Sequence, residues 1–304
     1  MIRGYVPLLL VVAGIWGASY LFIKVAVDEI EPTAMMELRL ILAALVLVPV
    51  VVMRLGRTRA VAELRATGGG AWILGTANMA IPFTLIAWGE KYIDSGVAAI
   101  ANASVPIFVA ALAIKFRPSE RVRGIRLAGV LLGFVGVGVL AGLHPEGGWW
   151  AVAGTLAVVV ASLSYAVSNL YTQHRFPTTS PLVITASSCV AAAVVLLPFA
   201  LFQLPDETPS LKALGSVAAL GIAGTAIALL FYFRMLNRYG SSRASLVTYL
   251  LPPFALVYGT VFLDERVTLN AALGLVLILA GVALGSGVLR LARRREPAPA
   301  APRP

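Results

Sequence analysis

The chain has 304 residues, 59% of them hydrophobic and 12% charged, and a formal net charge of +10. Its mean hydropathy is +0.89, and because a soluble domain carries roughly 25% charged residues, a water-soluble fold is excluded and the chain reads as a polytopic membrane protein. The basic excess then marks membrane topology rather than a nucleic-acid surface, and the single cysteine, Cys189, leaves no disulfide framework, while no cluster of His and Cys suggests a metal.

In chain order, Arg3 precedes YVPLLLVVAGIWGASYLFI. This stretch is too long for the core of a cleaved signal peptide and has no A-x-A-type end, so it reads as a first membrane span. Apolar segments of about 20 residues then recur between short polar or Gly/Pro punctuation. Ten spans are predicted, near 5–25, 34–53, 70–89, 95–115, 125–143, 149–172, 180–202, 213–236, 244–263 and 269–290. The fifth and tenth are glycine-rich (GVLLGFVGVGVLAG and GLVLILAGVALGSG), which suits close packing or a homodimer contact. Residues 293–304, rich in Pro and Ala, read as a disordered tail.

Ten spans place both termini on one side. Among the lysines and arginines, Lys24, Lys91, Lys212 and Arg266 fall in the opposite connections and Arg39 and Arg234 lie within spans, while all the others sit on the terminal side. Basic residues favour the cytoplasm, so both termini are expected there, in a cytoplasmic (inner) membrane.

The chain also resembles itself. At an offset of 149, Trp16 meets Tyr165, Ser19 meets Ser168, Pro32 meets Pro181 and Pro49 meets Pro198. At 146, Gly75 meets Gly221, Ser95 meets Ser241, Pro106 meets Pro252 and Phe108 meets Phe254; at 145, Glu120-Arg121-Val122 meets Glu265-Arg266-Val267. The predicted halves are 1–143 and 144–292. Each has five spans, an odd number, so the second half enters the membrane from the opposite side. Such inverted repeats build secondary transporters, with a site near the midplane where the halves meet.

The stretch FYFRMLNRYGSSRASLVTYLLPPFALVYGTVFLDERVTLNAALGLVLILAGVAL resembles the repeat of the EamA family in the drug/metabolite transporter superfamily. A weaker version, WGEKYIDSGVAAIANASVPIFVA followed by SERV, occurs in the first half, which departs from the pattern at KFRPSER through Pro118. ELRLILAAL resembles the family's second helix, with Arg39 at its arginine. The resemblance implies an all-α fold of ten transmembrane helices in two inverted five-helix repeats. It also implies export or exchange of small metabolites, and a cavity between helices one, three, four, six, eight and nine.

Prolines interrupt three of those spans. A proline lacks an N–H, so the carbonyl four residues earlier loses its partner. Pro82 would free the carbonyl of Asn78, Pro106 that of Asn102, and Pro252 and Pro253 those of Thr248 and Tyr249. In lipid such carbonyls must face protein or a wet interior; each proline alone also fits a packing kink. Trp16, Ser19 and Tyr20 share a face of the first span. Ser164, Ser168 and Thr172 form a stripe on the sixth beside Tyr165 and Asn169. These residues are the candidate substrate contacts, with Trp16 and Tyr165 as opposed aromatic walls. Glu37 and Arg39 lie near one end of the second span. Glu37 reads as the only carboxylate within a span, so the pair is the candidate for ion coupling, although snorkelling or an ion pair also fits Arg39 and Arg234.

The expected function is a secondary transporter that exports a small neutral or zwitterionic metabolite, such as an amino acid, or a drug-like compound, by alternating access. A channel-like facilitator is the alternative. A membrane enzyme lacks paired acids or His–Asp sets within the spans, and nothing calls for a cofactor; the expected partners are the lipid bilayer and a small-molecule substrate.

Overall fold

The computed structural model describes residues 4–116, 124–141 and 148–285. The predicted tail, the Glu120-Arg121-Val122 motif with Pro118, and His144 lie outside the described residues. Among these there is no strand. Among the described residues seven helices are long and apolar enough to cross a membrane, and three shorter apolar helices complete ten.

These are α1 (Tyr5–Val27), α2 (Pro32–Leu55), α3 (Gly69–Glu90), α4 (Ser95–Asn102 and Val105–Phe116), α5 (Ile125–Ala141), α6 (Gly148–Arg175), α7 (Pro181–Leu201), α8 (Leu211–Tyr239), α9 (Ser241–Ala244 and Val247–Phe262) and α10 (Leu269–Gly285). Helices satisfy every backbone group internally, which lipid requires. Pro32 and Pro181 open α2 and α7 at their first turns, where no N–H is needed. Gly56 and Gly240, at φ of +75° and +83°, end α2 and α8. One element was not expected: the basic connection after α2 is a short surface helix, Arg57–Ala66, with an exposed Arg59–Glu63 pair at 2.7 Å.

Contacts between helices come in matched sets. α1 packs on α8 and α9, and α6 packs on α3 and α4; α2 packs on α7, and α5 on α10. Each helix therefore meets the counterpart of whatever its own counterpart meets, as a twofold relation between two five-helix halves demands. The glycine-rich faces of α5 and α10 meet each other inside one chain. A Cβ on Gly136 would lie 2.8 Å from the Ile278 backbone nitrogen, and one on Gly274 would lie 2.9 Å from Leu140. Small residues permit that approach.

The connections 28–31, 91–94, 202–210 and 263–268 share one face, which polar contacts tie together. Lys24 Nζ donates to the carbonyls of Glu90 (2.7 Å) and Ile93 (2.9 Å). Glu265 accepts from Ser95 N and Oγ at the start of α4, and Lys91 pairs with Glu31 at 2.8 Å. Glu29 accepts from Ser210 N and Oγ, both at 2.6 Å, at the start of α8. These bonds hold the exposed Glu29 carboxyl below its ordinary value of 4.5. A lowered native pKa stabilises the fold above the unfolded value and stops doing so as pH falls through the native one. The unfolding temperature of the wild type should therefore exceed that of Glu29→Gln at pH 7, and the gap should close as pH falls below 4.5. A gap independent of pH would contradict this.

Candidate functional site

A cavity of about 340 Å³ lies between the two halves. Its walls come from α1, α3, α4, α6, α8 and α9, the six helices named by the resemblance, together with Arg39 of α2 and Thr185 of α7. Eight pairs of repeat-equivalent positions face it: Trp16 and Tyr165, Tyr20 and Asn169, Asn78 and Gly224, Met79 and Thr225, Phe83 and Leu229, Ile86 and Tyr232, Asn102 and Thr248, Val105 and Leu251. The positions obey the twofold; the chemistry does not.

Local backbone structure explains why polar groups reach this hollow. α3 passes through a π-helical stretch at Thr76–Ala80, and α8 through one at Ala219–Ile227. In a π turn each N–H bonds the carbonyl five residues back. Ala228 N–H accordingly meets Ala223 O in α8. The equivalent residue in α3 is Pro82, which has no N–H. Its would-be partner in this register is Ala77 O, which instead accepts the hydroxyl of Ser164 from α6 at 2.6 Å. The α-helical count pointed to Asn78, and the π turn shifts the freed carbonyl by one residue. The π stretch recurs in α8 without a proline, so Pro82 accompanies the interruption rather than causing it.

α4 is broken at 103–104, directly before Val105-Pro106. α9 is broken at 245–246, one to two turns before Pro252 and Pro253, which lie inside its second piece. At the α4 break, Asn102 Nδ2 donates to Tyr20 Oη (2.8 Å), and its Oδ1 accepts from Ser162 (3.2 Å). One amide thus joins α1, α4 and α6. Trp16 packs against Tyr232 with ring centroids 5.2 Å apart.

Of the sequence-predicted contacts, Trp16, Ser19, Tyr20, Asn78, Asn102, Tyr165, Asn169 and Thr248 line the cavity. Ser168 does not; it is buried, and its hydroxyl has no partner among the described residues. Tyr249 packs against the main core instead. Thr172 bonds back to the carbonyl of Ser168 on its own helix. Glu37 is buried away from the cavity, with one carboxyl oxygen unpartnered among the described residues. Arg234 is exposed, beside Arg54 and Arg238 on the surface.

Arg39 departs most from its sequence reading. It neither snorkels nor pairs with Glu37. It is 7% exposed and lines the cavity, with its guanidinium carbon 4.0 Å from the centre of the Phe83 ring. Its Nε donates to Thr225 Oγ1 at 3.0 Å, and Nη1 approaches Met36 Sδ at 3.8 Å. Thr225 in turn donates to Leu220 O at 2.9 Å, within the π stretch. Sequence reasoning also missed Glu90, which it placed just beyond a span. Glu90 is 0% exposed at the end of α3, and both its carboxyl oxygens lack partners among the described residues. Thr225 was missed too; the signal was a lone hydroxyl in GIAGTAIA, one position from a repeat-equivalent of Asn78.

Known proteins resemble the chain over nearly its whole length. A model of the EamA-like transporter family matches residues 4–142 and again 152–287. A protein of Archaeoglobus fulgidus described as an uncharacterized transporter is 28% identical over 271 residues, 88% of this chain and 93% of its own. A probable amino-acid metabolite efflux pump of Salmonella typhimurium is 28% identical over 304 residues, covering 95% of this chain and 97% of its own. One solved crystal structure superposes with a TM-score of 0.66 at 21% identity, covering 98% of this chain and 100% of the other, and supports the fold alone.

Proposed function

Since the chain belongs to the EamA-like transporter family, with its ten helices in two inverted repeats, we propose that it exports a small neutral or zwitterionic metabolite of the amino-acid kind by alternating access. The observation that carries this reading is the cavity between the halves, whose size falls at the low end of small-molecule sites. Aromatic faces of Trp16, Tyr165 and Tyr232 supply apolar contact. The amides of Asn78, Asn102 and Asn169 and the hydroxyls of Ser19 and Thr248 supply orientation. The Salmonella relative, a probable amino-acid metabolite efflux pump, supports the same class. The family is one of transporters, so the membrane-enzyme alternative is set aside.

In this reading the repeats run over 1–143 and 144–292, and both termini lie in the cytoplasm of a cell whose inner membrane holds the protein. The ties at Lys24, Glu29 and Glu265 close the opposite face, and they would break when the cavity opens there. The π stretch beside Pro82, the α4 break before Pro106 and the α9 break one to two turns ahead of Pro252-Pro253 serve as hinges. A homodimer through α5 and α10 would use the faces that Gly136 and Gly274 leave free, because those glycines are engaged within the chain.

Counterflow in proteoliposomes tests the proposal. Vesicles preloaded with unlabelled amino acids should draw in labelled amino acid transiently above equilibrium, with saturation. Flux that never saturates and shows no counterflow would assign the protein to channel-like facilitation.

A further inference from the structure

The twofold pattern of the cavity has one charged exception. Arg39 faces the hollow, while its repeat-equivalent, Ser188, is buried outside it. Among the described residues no other lysine, arginine, aspartate or glutamate lines the cavity. Arg39 belongs to neither of the ion pairs Arg59–Glu63 and Lys91–Glu31, and its own side-chain partners among the described residues are Thr225, Met36 and the Phe83 ring, none of them a carboxylate. The buried Glu90 acts on it only at longer range, and Lys24 acts on Glu90 as well.

An uncompensated charge at this depth is costly, yet this one is held in place. The Phe83 ring stacks on the guanidinium, Thr225 fixes Nε, and Met36 sits against Nη1. Those contacts occupy the side and one face of the group. Nη2 makes no hydrogen bond among the described residues. A guanidinium so fixed presents a planar fork suited to two carboxylate oxygens. Among the described residues the cavity offers no second cation for a dianion or a phosphate, and no carboxylate for a polyamine.

We infer that Arg39 is the anchor for a single carboxylate on the transported molecule, so that the substrates are monocarboxylates, either zwitterionic amino acids or simple organic acids with an apolar body. The inference rests on the transporter reading above; it fixes the carboxylate as the recognised group and extends the substrates from zwitterions to simple acid anions. Thr225 is a positioning residue, acting through Arg39. Because Thr225 belongs to the π stretch of α8 and Arg39 to α2, the anchor spans the two halves, and a bound carboxylate would join the site where the halves move against each other.

The test uses matched sets built on the leucine and phenylalanine skeletons: the amino acid, its deaminated acid, its amide and its decarboxylated amine. Each compound is assayed on the whole protein in lipid nanodiscs by ligand-dependent thermal stabilisation, and in proteoliposomes as a competitor in counterflow. In the wild type the two carboxylates of a set should bind, and the amide and amine should be weaker by roughly 30-fold or more. Arg39→Gln should erase that preference, and Arg39→Lys should keep part of it. Should Arg39→Gln fail to elute as a single species, Thr225→Val serves instead: carboxylate binding should weaken several-fold, and by more than amide or amine binding does, so that the preference for the acid shrinks.

If amides or amines are carried as well as acids by the wild type, the protein is a transporter and the Arg39 assignment is wrong. The assignment is equally wrong if a well-folded Arg39→Gln keeps the carboxylate preference. If no compound of either set binds or is carried, both this inference and the substrate reading beneath it fail.

Discussion

Gly136→Leu should destroy the fold, while Gly138→Leu, two residues along the same helix, should leave it intact. The difference lies in what each position faces. A Cβ at Gly136 would meet the backbone of α10 at Ile278, 2.8 Å away, with Leu277 Cβ at 2.9 Å. A Cβ at Gly138 meets nothing within 4 Å. Helix backbones cannot yield as a flexible side chain can, so a leucine at Gly136 must separate α5 from α10. Overpacking of this kind costs about 3 kcal/mol or more, a large part of a marginal stability. Size-exclusion profiles and unfolding temperatures of the two variants in detergent check it. Similar profiles would mean that α5 and α10 do not pack as described. A change in oligomeric state confined to Gly138→Leu would instead locate a dimer contact on the outer face of α5.

Asn102→Leu should lower transport about tenfold or more while the protein stays folded. Leucine is close in volume, so packing is largely kept. What is lost is the amide that joins Tyr20 of α1 to Ser162 of α6 across the break in α4. Interhelical hydrogen bonds in membranes are worth roughly 0.6–2 kcal/mol each, too little for their loss to unfold ten packed helices. Yet these bonds set the position of Tyr20 and of the Asn102 amide itself at the cavity wall, from the buried Ser162 behind them. Initial rates of counterflow, measured beside the unfolding temperature, separate the two effects. Unchanged kinetics in folded protein would make Asn102 a packing residue only.

Much of this architecture was legible in the sequence because its signals are redundant. Ten apolar runs, the paired prolines at 32 and 181, and glycines in corresponding places all gave the same two-half layout. Trp16 and Tyr165 were assigned to one cavity through that register alone. What stayed hidden depended on geometry that no residue spacing encodes. Arg39 lies seven residues into α2, which at 1.5 Å per residue is about 10 Å deep. From that depth a long side chain can reach either the interface or the interior, and Phe83 and Thr225, distant in sequence, decide which. The π stretches were invisible because only one of them contains a proline. Tyr249 was selected by counting four residues back from Pro253, but a freed carbonyl does not fix where its own side chain points. Glu90 escaped notice because the predicted third span stopped one residue short of it.

Alternating access in this protein requires two halves that cross the bilayer in opposite senses around one cavity. Cys189 is buried and is the only cysteine, so single cysteines introduced at the exposed Thr58 and Glu207 can be read cleanly with a membrane-impermeant maleimide. Thr58→Cys should label only after the cells are permeabilised, and Glu207→Cys should label in intact cells. Labelling of both from the same side would contradict the inverted arrangement, and with it the cavity between the halves as the route of transport.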